Sequence, residues 1–147
     1  MGTNAAVELL PKEYGYVILV FVLYFFLNIW MGFRVGAARK KYNVPYPTLY
    51  ALESENHEAM LFNCVQRGHQ NTMEMMPMFL FALGVGGLPH PLIAAPIGLL
   101  YVIGRAVYFV GYSTGEPKNR LYGGSLSLVC LLGLIACSIS LAVHVFK

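Results

Sequence analysis

Apolar and polar positions along this chain separate on the scale of whole membrane spans. No Asp, Glu, Lys or Arg interrupts Tyr14–Phe33, 20 residues, or Leu121–Phe146, 26 residues. A further 29 uncharged residues lie between Met75 and Arg105, broken by Leu88-Pro89-His90-Pro91. A helix rising about 1.5 Å per residue needs roughly 20 residues to cross a hydrocarbon core of about 30 Å, so each run is long enough to span. The pattern predicts helices over about 14-36, 57-88, 92-112 and 121-146: an all-α, integral membrane four-helix bundle formed as a single domain over 1-147. The first run exceeds the apolar core of a signal peptide, and Arg39, Lys40 and Lys41 follow it as a stop-transfer cluster does, so it is read as a span.

The segments between the runs carry the charge. A short head holds Glu8, Lys12 and Glu13; the first connection, 34–56, holds Arg34, Arg39, Lys40 and Lys41, then Pro45 and Pro47, which favour an extended or turning chain. The second span is polar from His57 to Glu74 and apolar only afterwards, so its first half must face protein, a watery cleft or headgroups rather than lipid. Pro89 and Pro91 mark a tight turn that sets spans two and three antiparallel. Ser113–Arg120 is a short polar connection, and the fourth span is rich in small residues (Gly123, Gly124, Ser127, Gly133) that permit close helix contact.

Composition agrees: 57% of the chain is apolar and 12% charged, against about 25% charged in a soluble domain. The net charge of +3 comes from 10 Lys and Arg against 7 Glu, which gives little support to a nucleic-acid partner. Cys64, Cys130 and Cys137 have no Cys-x-x-Cys spacing and read as buried thiols, with neither a disulfide frame nor a metal site. Lys and Arg gather in the first and third connections, and the positive-inside rule puts those loops in the cytosol.

Candidate chemistry collects at that same end. Asn63, Arg67, Asn71 and Glu74 recur at steps of 4, 4 and 3 and share one helix face, with Gln70 beside them. A cation, two amides and an anion in one stripe must meet a polar ligand, or else form an inter-helical structural network in which Arg67 and Glu74 pair elsewhere. Arg105, Tyr108 and Tyr112 form a second stripe on span three, Arg39-Lys40-Lys41 a third cluster and Arg120 a fourth. Interfacial anchoring is the plainer reading of the tyrosines, and orientation or anionic-lipid contact that of the basic run. Taken together, the mixture suits a small ligand with two carboxylates, an amine, amides and a thiol, a pattern that glutathione has.

Arg67-Gly68-His69-Gln70-Asn71-Thr72-Met73-Glu74-Met75-Met76-Pro77 resembles the signature of the MAPEG membrane proteins of eicosanoid and glutathione metabolism. Phe62–Arg67, Tyr108–Pro117 and Ala38–Tyr42 resemble its type 3 microsomal glutathione S-transferase branch, and the likeness runs from about Lys12 to Phe146. The resemblance implies a homotrimer in the endoplasmic reticulum membrane, with the site facing the cytosol and glutathione held between subunits as co-substrate. It implies that Arg67, Asn71 and Glu74 hold the peptide, that Tyr108 and Tyr112 complete the pocket, and that Arg39 reaches in from a neighbouring subunit. His69 stands where the family's leukotriene synthase has a Gln contact, and Met75 where it has a Tyr. Arg120 matches the thiolate-activating arginine, and Lys40 stands where a second arginine contacts the acceptor.

The implied activity is transfer of glutathione to a lipophilic electrophile or reduction of a lipid hydroperoxide, with leukotriene synthesis as a further possibility and membrane lipid as surroundings. Two other readings stand beside it. One is a non-catalytic lipid-binding scaffold of the same fold. The other is a small transporter, for which the charge of Arg105 inside a span is the best support.

Overall fold

The computed structural model describes residues 10–147, so Glu8 lies outside the described residues. Four long helices follow one another: α1 Tyr14–Lys41, α2 Ala59–Gly87, α3 Pro91–Tyr112 and α4 Leu121–Val145, with a 3-10 turn, Pro117–Arg120, leading into the last. A helix is present at each of the four expected places. α1, however, continues to Lys41 instead of stopping near 36. Ala37 and Ala38 favour helix, and Arg39, Lys40 and Lys41 lie at its electronegative C-terminal end, so propensity and dipole carry the helix past the apolar run. Among the described residues three helical stretches are long and apolar enough to cross a membrane: α1, α3, and the 3-10 turn with α4. α2 has the length, 29 residues, but its first half is the polar one.

The outer face is apolar. Phe25, Phe26, Phe33, Phe81 and Val129 all point outward, as they do when the surrounding medium is lipid. The core between the helices is aromatic at its centre. Phe79 of α2 stacks on Tyr101 of α3 with ring centroids 4.0 Å apart, and Tyr24 of α1 lies 4.7 Å from Phe79. Val17, Val20, Leu83, Leu131 and Leu134 fill the space around them.

α3 and α4 approach most closely. A methyl group on Gly104 would sit 2.7 Å from Ser127 Oγ, and one on Gly123 would run into the Tyr108 backbone nitrogen and the Gly104 carbonyl. Small residues at these crossings let the backbones touch, which is the means of helix association available where lipid is as apolar as any side chain. The same closeness fixes the height of Tyr108 on α3 relative to the start of α4.

The long connection between α1 and α2 folds back onto α2. Asn63 accepts from the Ala51 backbone nitrogen at 2.8 Å and donates to the Ala51 carbonyl at 2.9 Å, clasping the loop at both groups. Asn56 donates to the Tyr42 carbonyl at 2.8 Å. Only Leu88, Pro89 and His90 join α2 to α3, which run antiparallel as expected. The three cysteines are free and buried.

Candidate functional site

The polar first half of α2 sets its charged stripe beside the C-terminal half of α3 and the 3-10 turn. Within the stripe, Arg67 Nη1 donates to Glu74 Oε1 at 2.7 Å, two helical turns away on the same face. Both side chains stay open, at 39% and 46% exposed, so a ligand can reach them. Asn71 Nδ2 lies 3.5 Å from Glu74 Oε2 and extends the array. Asn63, the first member of the stripe, is taken up by the Ala51 clasp. Gln70 accepts a very short hydrogen bond from the Tyr50 hydroxyl, which pins the loop beside the array.

The second stripe divides. Tyr108 and Tyr112 lie together, ring centroids 5.7 Å apart and nearly perpendicular, and pack with Cys64 of α2. Arg120, at the end of the 3-10 turn, donates through Nη1 to the Tyr112 hydroxyl at 2.8 Å, its guanidinium carbon 4.9 Å from the centre of that ring. On the other side of the pair, the Arg105 guanidinium carbon lies 4.1 Å from the centre of the Tyr108 ring. An anion placed beside the two tyrosines would meet the positive charge of Arg120.

Arg105 turns the other way, into the bundle, and is 3% exposed. Its Nη2 donates to Thr72 Oγ1 at 2.7 Å and to Asn71 Oδ1 at 2.9 Å, and its Nε to Thr72 Oγ1 at 3.2 Å. The intramembrane charge that suggested a conduction pathway is thus enclosed by a packing network. Thr72 is the residue that sequence reasoning missed. It is fully buried, and its hydroxyl donates to the Gly68 carbonyl one turn earlier, leaving its lone pairs for Arg105. A threonine next to Asn71, facing a span with an otherwise partnerless arginine, was the available signal.

Three other expected residues stand apart from this corner. His69 faces α1, its Cε1 3.8 Å from where a methyl on Gly32 would lie. Arg39, largely buried, donates through Nη1 to the Thr48 carbonyl at 2.7 Å and lies 4.4 Å from the centre of the Tyr46 ring. Lys40 is exposed and lines, with Arg39, Gly32, Gly36 and Tyr46, an open groove of about 1170 Å³ along α1. Within one copy of the chain, Arg67, Asn71, Glu74, Tyr108, Tyr112 and Arg120 share a corner; Arg39, Lys40 and His69 lie along α1.

Known proteins are similar to this chain over most of its length. Microsomal glutathione S-transferase 2 of Homo sapiens is 34% identical over 111 residues, covering 72% of this chain and 71% of that protein. The Mus musculus protein of the same name is 33% identical over 111 residues, again 72% and 71%. Leukotriene C4 synthase of Rattus norvegicus is 31% identical over 138 residues, 92% of this chain and 86% of its own. The match to the family model described as "MAPEG family" extends over residues 17–140, from the first turn of α1 into the last turns of α4. With the arginine, amide, carboxylate and tyrosine set all inside that range, the chain belongs to the MAPEG family.

Proposed function

We propose that this protein is a membrane glutathione transferase and glutathione-dependent peroxidase acting on lipophilic electrophiles and lipid hydroperoxides. The observation that carries the reading is that Asn71, in line with Arg67 and Glu74 on α2, and Tyr108, beside Tyr112 and Arg120, lie on either side of one guanidinium, that of Arg105. The relatives' names, two glutathione transferases and a leukotriene synthase, point to the same chemistry.

Glutathione fits the donor set. Arg67 and Glu74 neutralise each other on an open face, so a zwitterionic peptide exchanges one ion pair for two, carboxylate to Arg67 and ammonium to Glu74. Asn71 offers its Nδ2 to a peptide carbonyl. Arg120 holds the sulfur as an anion. A thiol near pKa 8.5 is mostly protonated at neutral pH; a guanidinium about 4 Å away at an effective dielectric of about 20 contributes about 4 kcal/mol, which lowers that pKa by about 3. Arginine suits the task because it keeps its charge.

The thiolate attacks an electrophilic carbon, forming the carbon–sulfur bond while the leaving group departs with its electron pair. With an epoxide, the carbon–oxygen bond opens and the oxygen takes a proton from water. With a hydroperoxide, two glutathione molecules are oxidised to the disulfide as the peroxide becomes an alcohol and water. The bilayer concentrates the apolar partner.

Arg39 and Lys40 enter this reading through a homotrimer, in which the groove along α1 faces the corner of a neighbouring copy and Lys40 meets the acceptor. The Lys and Arg in the last turns of α1 and in the 3-10 turn before α4 support a cytosolic site, and the family resemblance points to the endoplasmic reticulum membrane. The test is detergent-solubilised protein with glutathione and a panel of a halonitrobenzene, a fatty-acid hydroperoxide and a leukotriene epoxide. The expected result is a thioether adduct or peroxide-dependent glutathione disulfide. Folded protein that yields neither with any member overturns the reading.

A further inference from the structure

We propose that Arg105 is a positioning residue for glutathione, holding the Asn71 amide and the Tyr108 ring in their binding orientation from inside the bundle. The proposal rests on the glutathione reading above and deepens it. Among the described residues the ion pair found is Arg67–Glu74, so the charge of Arg105, buried in α3, is met by neutral groups. Keeping an arginine in such a place is costly unless its donors find partners, and here Nε and Nη2 find theirs among the neighbours of the candidate site. Thr72 Oγ1 takes two of its hydrogen bonds and Asn71 Oδ1 a third, while the guanidinium carbon lies 4.1 Å from the centre of the Tyr108 ring.

The consequence for Asn71 is directional. An amide has an acceptor end and a donor end. Arg105 occupies the acceptor end, because the opposite orientation would set N–H groups against N–H groups. The donor end is thereby turned outward, toward Glu74 Oε2 and the open face. On α3, the same guanidinium lies against Tyr108 from the bundle side and limits the tilt of its ring. One enclosed cation therefore sets two ligand-facing side chains on two helices without touching the ligand. It acts on peptide binding, while Arg120 acts on the sulfur.

Lysine at position 105 keeps the charge and loses the fork that reaches Asn71 and Thr72 together. In the purified protein, Arg105→Lys is expected to raise the glutathione Kd by calorimetry, and KM with it, by about tenfold, equivalent to about 1.4 kcal/mol. The pKa of the bound thiol, followed by thiolate ultraviolet absorbance, stays where it is. In an Asn71→Ala background the same change has less than a twofold effect, since the intermediary is gone. Tyr24→Phe is the structural comparison: it removes the 3.0 Å bond to the Thr72 carbonyl, lowers Tm and leaves Kd within twofold.

If Arg105→Lys does not fold, Thr72→Val removes two of the three hydrogen bonds and is read the same way, with a rise of threefold or more expected. Wild-type affinity in these variants, an undiminished effect in the Asn71→Ala background, or a changed thiol pKa overturns the positioning role. A wild-type protein that binds no glutathione overturns the functional reading and this proposal together; binding by wild type with unaffected variants removes this proposal alone.

Discussion

Replacing Gly123 by alanine puts one methyl group where α3 and α4 leave no room for it. The methyl would collide with the Tyr108 nitrogen and the Gly104 carbonyl and lie 2.7 Å from Tyr108 Cα, all backbone atoms that no rotamer change can move aside. To restore an ordinary 3.4 Å contact the two helices must part by at least 0.7 Å. Alanine brings a helix-propensity gain of about 1 kcal/mol over glycine, while overpacking of this kind costs about 1–3 kcal/mol, so the net loss of stability is up to about 2 kcal/mol. Function should suffer more. The displaced pair is Tyr108 on α3 and Arg120 at the start of α4, and a parting of that size stretches the 2.8 Å bond from Arg120 to Tyr112 to the limit of hydrogen bonding. Misplacement by about 1 Å can cost about 100-fold in rate, so a fall in kcat/KM of tenfold or more is expected. Gly124→Ala is the matched comparison. Its methyl would meet Tyr108 Cδ2 at 3.4 Å, an ordinary contact, and should leave Tm and activity near wild type. Thermal unfolding in detergent with glutathione conjugation rates decides the matter. If Gly123→Ala matches Gly124→Ala in both, the two helices are not as close as described and the placement of Arg120 by their contact is refuted.

Arg120→Ala should abolish the thiolate absorbance of bound glutathione at neutral pH while the protein stays folded, since Arg120 packs at the protein's edge and its deletion leaves no buried charge behind; an unchanged thiolate signal contradicts its role. Glu74→Gln should raise KM for glutathione by tenfold or more and barely move Tm, because the Arg67–Glu74 pair is half exposed and such pairs add little to stability; unchanged KM removes Glu74 from the binding set. Tyr101→Phe should raise Tm slightly and leave KM unchanged, because the buried Tyr101 hydroxyl has no hydrogen-bond partner among the described residues and its desolvation is a cost without return. A clear fall in Tm would mean that this hydroxyl is satisfied after all.

α1 and α4 were legible because each apolar run reached the length that a bilayer requires, a signal that survives any detail of packing; α2 and α3 were legible from the prolines that divide one longer uncharged run. The end of α1 was less so: its last turn is made of Ala37, Ala38 and three basic residues, which hydropathy scores as loop and which propensity and the helix dipole hold as helix. The Arg67, Asn71 and Glu74 stripe followed from spacing alone, since residues at steps of three and four share a face whatever the partner. What spacing left open was the direction of the partners. That Arg105 meets Thr72 and Asn71 depends on the antiparallel register of α2 and α3, set by tertiary contacts such as Gly68 against Phe109, where a methyl would lie 3.1 Å from the ring. The Tyr50–Gln70 bond depends on a long loop folding back, which no periodicity reports.

The three-residue turn between α2 and α3 has a bearing on how the chain enters the bilayer. Arg105 lies seven residues, about 10 Å, from the C-terminal end of α3, deep enough that an arginine there costs about 3 kcal/mol in partitioning from the translocon to lipid. On its own, α3 is a reluctant passenger. The oxygens that receive its guanidinium belong to α2, synthesised immediately before it and tethered by Leu88, Pro89 and His90 alone. Biogenesis is therefore expected to release these two segments laterally as a preassembled hairpin, and a long flexible insert at that turn should leave α3 outside the bilayer or extracted for degradation.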